Sequence, residues 1–153
     1  SDIGASTATE SGLIAARKHL APGSEGGAGR MQTDKIIVLL TGGVPDLYSS
    51  DSREIDQYVR QNPNSNFYAG GAYAFNAPLM QAMQMQTGRW QLYPVGIGLG
   101  ADYGFKDRMA RVGGTASNEG NTPRGSGNPA EHERRLTDIF EIIIGNPQMR
   151  LVQ

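Results

Sequence analysis

The chain has 153 residues, of which 38% are hydrophobic and 19% charged, with a formal net charge of -1. That length suits one domain with a real core, and the charge balance excludes the clustered basic face that nucleic-acid binding requires. The absence of cysteine excludes disulfides, zinc–thiolate sites and cysteine catalysis.

Taken from the N-terminus, residues 1–20 lack the layout of a signal peptide, and a start at Ser1 fits a processed or trimmed product. Ser11 to Leu20 predicts a helix with Leu13, Ala16 and Leu20 on one face, after a Ser/Thr-rich stretch suited to capping. Pro22 and the glycine-rich residues 23–29 end it. Lys35 to Thr41 is an Ile/Val/Leu run too short for a buried helix, and reads as the first strand. It opens into Gly42-Gly43-Val44-Pro45-Asp46, a loop that reaches Ser52. A polar surface helix follows over Ser52 to Gln61, with Ile55, Tyr58 and Val59 at helical spacing.

Asn62 to Gly71 is a loop, and Ala74 to Thr87 predicts a helix. Its Leu79, Met80, Met83 and Met85 are read as a core-facing stripe. Trp90 to Gly98 is the second strand; Pro94 cannot donate to a ladder, which places an edge or a bulge there. Asp102 to Val112 is a short helix capped by Asp102. A glycine, serine and asparagine loop spans 113–130. Glu131 to Ile144 is an amphipathic helix with Leu136, Ile139, Phe140 and Ile143 inward, and Arg150 to Gln153 forms a last short strand. No apolar run approaches the ~18 residues of a membrane span. The basic pairs Arg17-Lys18 and Arg134-Arg135 fall on solvated helix faces.

Helix and strand in alternation predict an α/β fold with a mostly parallel sheet. A parallel sheet is covered on both faces, and about three strands are few for the helices on offer. Strands are missing from the pattern.

In order and spacing these segments resemble the C-terminal half of a von Willebrand factor A (VWA) domain. TATESGLIAARKHL is similar to the helix after that family's metal-site threonine. KIIVLLTGGVPDLYSS is similar to its strand followed by T-D-G, and WQLYPVGIGLGADYGFKDRMARVGGT to its next strand and helix. RLTDIFEIIIGNPQMRLVQ is similar to its closing helix. The wording Y-P-V-G-I-G-L-G and N-P-x-x-R-L-V-Q is closest to TadG-like domains of bacterial Tad/Flp pilus-assembly proteins.

The resemblance implies a single partial VWA-like domain over residues 1–153, a Rossmann-like three-layer fold whose N-terminal strands are missing from this chain. It also implies a metal-ion-dependent adhesion site binding a divalent cation through oxygen ligands. Thr7 falls at the metal-site threonine, five residues before Gly12. The T-D-G aspartate falls on Gly42, and the D-x-S-x-S loop has no counterpart. Thr7 and Asp46 are therefore the metal candidates, in a degenerate or incomplete site. No cofactor is expected with this chain alone; Mg²⁺ enters only if a missing half, or a second chain completing the sheet, supplies the other ligands. Each candidate also has an ordinary structural role, Thr7 as a helix cap and Asp46 as a turn residue.

Two rival patterns stand beside this one. Gly96, Gly98 and Ala101 match G-x-G-x-x-A between strand and helix, the dinucleotide pattern of a nucleotide-binding enzyme fragment. Asp102 opposes it, since a carboxylate at that helix start repels a pyrophosphate. Ser49, Ser50, Asp51 and Ser52 cluster without a base nearby, and His19 and His132 lie on helix surfaces without metal partners. The function implied by the resemblance is a non-enzymatic protein-interaction or adhesion module of a bacterial envelope or pilus-assembly protein. It would be extracytoplasmic and act through loops 42–52 and 98–104.

Overall fold

The structure is a computed structural model, describing residues 8–27, 29, 34–96 and 102–115, together with 137, 140, 141, 144 and 145. The order is α1 (Thr9–Leu20), a 3-10 turn (Gly23–Glu25), β1 (Lys35–Thr41), α2 (Ser52–Gln61), α3 (Tyr73–Thr87), β2 (Trp90–Gly96) and α4 (Tyr103–Val112). This is an α/β arrangement with a small parallel sheet. β1 and β2 pair in one unbroken register, from Lys35 opposite Trp90 to Thr41 opposite Gly96. Pro94 stands opposite Leu39 within that register, so the bulge expected there does not form. Proline is tolerated on a strand edge whose N–H would face away from the ladder, and β1 is the single strand paired with β2 among the described residues.

α3 occupies the middle and touches α1, α2, α4 and β2. Its sequence explains that position. Leu79, Met80, Ala82 and Met85 are buried, as are Asn76, Ala77, Pro78 and Gln81, so the helix is covered nearly all round and not on one stripe. The core gathers Leu13 of α1, Ile37 of β1, Leu79 of α3, Leu92 of β2 and Phe105 and Met109 of α4. Each such side chain contributes roughly 1.5–3 kcal/mol by leaving water. α2 joins through Ile55, which packs with Ala77 and Met80. Tyr58 and Val59 pack half-buried beside it, and the other residues of α2 are polar, in keeping with the surface helix expected.

Two polar fastenings hold the helices in place. The Asn76 side chain accepts from the Tyr68 N–H at 2.8 Å and donates to the Tyr68 carbonyl at 2.9 Å, pinning the loop before α3. Arg108 of α4 stacks its guanidinium 3.8 Å from the Tyr68 ring centre, and donates to the Asn66 carbonyl. At the other end of α4, Gly113 lies against β2, where a side chain would meet the Leu92 Cβ at 2.7 Å. The Leu92 N–H donates to the Gly113 carbonyl at 3.1 Å, so the lack of a side chain is what lets helix and strand touch.

Residues 137, 140, 141 and 144 are helical, in agreement with the closing helix. Phe140, expected inward, is 37% exposed, so its ring is covered only in part. The final strand at 150–153 lies outside the described residues. No described helix is long and apolar enough to cross a membrane.

Candidate functional site

The loop between β1 and α2 is tied down by a residue whose sequence position gives no hint of that role. Glu10 lies in the first turn of α1, where an acid ordinarily faces solvent and complements the helix dipole. Here it is fully buried, at 0% exposure. Its Oε1 accepts from the Ser49 N–H at 2.7 Å, the Ser50 N–H at 3.0 Å and the Ser49 hydroxyl at 3.2 Å. Its Oε2 accepts from the Ser50 hydroxyl and from Gln81 Nε2 at 3.3 Å. Burial alone raises a carboxylate's pKa; here the donors from Ser50, Ser49 and Gln81 outweigh it and leave Glu10 below its ordinary value. The carboxylate is ionised, and it clamps two consecutive residues of the loop.

Asp51 continues the fastening. Its side chain accepts from the Arg53 N–H at 2.8 Å and caps α2, so residues 49 to 51 are all held. Pro45 is buried within the loop. The Tyr48 ring lies 5.6 Å from that of Tyr73, whose hydroxyl donates to Asp56 at 2.9 Å. That hydrogen bond pushes the Tyr73 phenol pKa up, with burial and the Asp56 charge acting the same way.

Ahead of this fastened end, the last residues of β1 and the loop present apolar side chains to water. Leu40 is 49% exposed, Val44 and Leu47 each 48%, and Tyr48 44%. Together with Phe140 and Ile144 they are the exposed large hydrophobics of the described residues, and these four fall within nine consecutive positions. Singly scattered exposed apolar residues carry no message; these four stand close together in sequence at a strand's carboxyl end, the place where open α/β sheets bind their ligands.

Of the metal candidates, Asp46 lies exposed in this same loop, between Val44 and Leu47, and Thr7 lies outside the described residues. Just beyond it, Thr9 Oγ1 is buried with no hydrogen-bond partner among the described residues. No group of three or more His, Asp or Glu side chains that could hold a metal ion occurs among the described residues. Of the dinucleotide pattern, Gly96 is the buried last residue of β2, while Gly98 and Ala101 are outside the described residues. Asp102 caps α4 as expected, accepting from the Phe105 N–H at 2.9 Å, so a carboxylate occupies that helix end. His19 is exposed on α1.

Ser49 and Ser50, which the sequence shows only as part of a cluster without a base nearby, supply four of the five hydrogen bonds of the clamp. Glu10 as a buried acceptor has no sequence signature, because its serine donors stand about forty residues away. Compared with known protein families, with curated proteins and with solved structures, the chain finds no match in any of the three.

Proposed function

We propose that this chain is a non-enzymatic protein-interaction module, with the loop from Gly42 to Ser52 as its docking element. The observation that carries the reading is a loop fastened at its end beside exposed apolar side chains. Glu10 and the Asp51 cap hold Ser49 to Asp51, while Val44, Leu47 and Tyr48 of the loop and Leu40 near the end of β1 stay in water. A preordered surface loses little conformational entropy on binding, and buried apolar contact then stabilises the complex.

The VWA resemblance gives this module its finer identity. In that reading the two parallel strands and their helices are part of a Rossmann-like three-layer VWA fold, from an envelope-associated Tad/Flp pilus-assembly protein of the TadG-like kind. The adhesion site is degenerate, because Gly42 replaces its aspartate. Thr7 and Asp46 take up Mg²⁺ only when other strands or another chain complete the ligand set.

Two measurements test the reading. A photo-reactive residue placed at Leu47 should cross-link a discrete partner in extract of the source cells, and the same residue at exposed Thr87 should not. Equal labelling from both positions, or none from either, overturns the docking assignment. Magnesium titration with a thermal-shift readout should leave Tm unchanged; a clear rise with this chain alone refutes the degenerate site.

A further inference from the structure

Resting on that docking reading, we infer the chemistry of the partner: a peptide segment of another protein whose apolar anchors are flanked by lysine or arginine. The apolar centre is Leu40, Val44, Leu47 and Tyr48. Its surroundings are acidic. From Gly42 to Gln61, the loop and α2 together, the chain carries Asp46, Asp51, Glu54 and Asp56 against Arg53 and Arg60. Asp46 sits between two of the apolar residues. Asp56 reaches the patch through Tyr73, which receives Tyr48 on its ring and donates its hydroxyl to Asp56. Arg53 and Asp51 lie 3.5 Å apart and offset each other, and Arg60 stands in the last turn of α2, at the far end of that helix from the loop.

The macrodipole of α2 accounts locally for Asp51 and Glu54, since acids suit a helix N-terminus. It does not account for Asp46 or Asp56, and it adds no cationic side chain to the rim. Asp46 stands among the apolar residues in sequence and Asp56 is linked to Tyr48 through Tyr73, so an approaching chain meets their charge, screened by salt. Like charges facing one another across an interface disfavour an acidic partner, and complementary ones raise the rate of encounter with a basic partner. The apolar centre then supplies contact area, and the rim selects which sequences reach it. The same rim disfavours an anionic lipid surface.

Three synthetic eighteen-residue peptides test this by fluorescence anisotropy on the full chain: an amphipathic Leu/Lys peptide, its Leu/Glu counterpart and a Gln/Lys control. The Leu/Lys peptide should bind about tenfold or more tighter than either of the others. Leu47→Ser should weaken that binding about fivefold or more. The double variant Asp46→Asn, Glu54→Gln should weaken it severalfold and flatten its salt dependence. Equal affinity for the Leu/Glu peptide, binding that ignores Leu47→Ser, or no binding by any peptide overturns the inference. If cross-linking at position 47 persists while the Leu/Lys preference is absent, the docking role stands and the partner chemistry falls; if both are absent, both fall. Tight binding to phosphatidylserine vesicles would likewise overturn it.

Discussion

Two buried charges in helix first turns are treated in opposite ways. Glu10, near the start of α1, is fully enclosed and receives five hydrogen bonds from Ser49, Ser50 and Gln81. Lys106, in the first turn of α4, is 2% exposed, and its Nζ finds no hydrogen-bond partner among the described residues. The helix dipole favours the first and disfavours the second. Burial pulls the Lys106 pKa down, and the nearby charge of Asp102 offsets this only in part. Burial is therefore no guide to stability until the partners are counted: one charge fastens a loop across forty residues, and the other burdens the helix that carries it.

The largest expected effect tests the satisfied charge. Glu10→Ala leaves the serine donors without their acceptor and should cost about 3 kcal/mol in urea denaturation. A loss below about 1 kcal/mol would mean that water serves those donors equally well. Acid probes the same clamp. Because the folded pKa of Glu10 lies below the ordinary 4.5, its contribution is complete above the unfolded value and is lost as pH falls through the folded one. Stability should thus drop on acidification below pH 4.5, and Glu10→Gln should flatten that drop.

Lys106→Met acts in the other direction, with an expected gain on the order of 1 kcal/mol from removing a buried ammonium that has no hydrogen-bond partner among the described residues. Its pH signature is also reversed. A lysine pKa lowered by folding penalises the native state fully below the folded value, and the penalty fades as pH rises towards 10.5. The alkaline rise in stability should disappear in Lys106→Met; an unchanged rise would assign it to another group. The smallest effect is expected at the edge of the clamp. Gln81 Nε2 reaches Glu10 at 3.3 Å, and its Oε1 accepts from Arg17 at 3.4 Å, both long bonds. Gln81→Met should cost about 0.5 kcal/mol, measured by the same denaturation.

Much of the architecture was legible because it is local. The Ile/Val/Leu run of β1 and the polar α2 with its single buried Ile55 declare themselves within a few residues. Asp102 as a cap is equally local, needing only a helix start beside it. Tertiary contacts decide where the backbone chooses between neighbours. Past the end of α3 the left-handed conformation falls on Arg89, with φ of 68°, although Gly88 stands beside it. Arg89 follows a glycine and lies 3.5 Å from Asp34, contacts that local propensity does not include.

By itself, the sequence determined the order of the described strands and helices and their starts to within two residues, that the strands are apolar enough to be covered by helices, and that Gly42 follows Thr41 at the end of β1. Tertiary structure decided which polar residues matter. An acid in a first turn and a pair of loop serines look ordinary apart, and become a buried clamp only when the start of α1 is laid beside the end of the loop that enters α2. The same placement decided that Val44, Leu47 and Tyr48 remain in water on a fixed loop. Hydrogen bonds and exposure depend on which surfaces meet, and that is set by packing between segments far apart in the chain and not by the residues beside them.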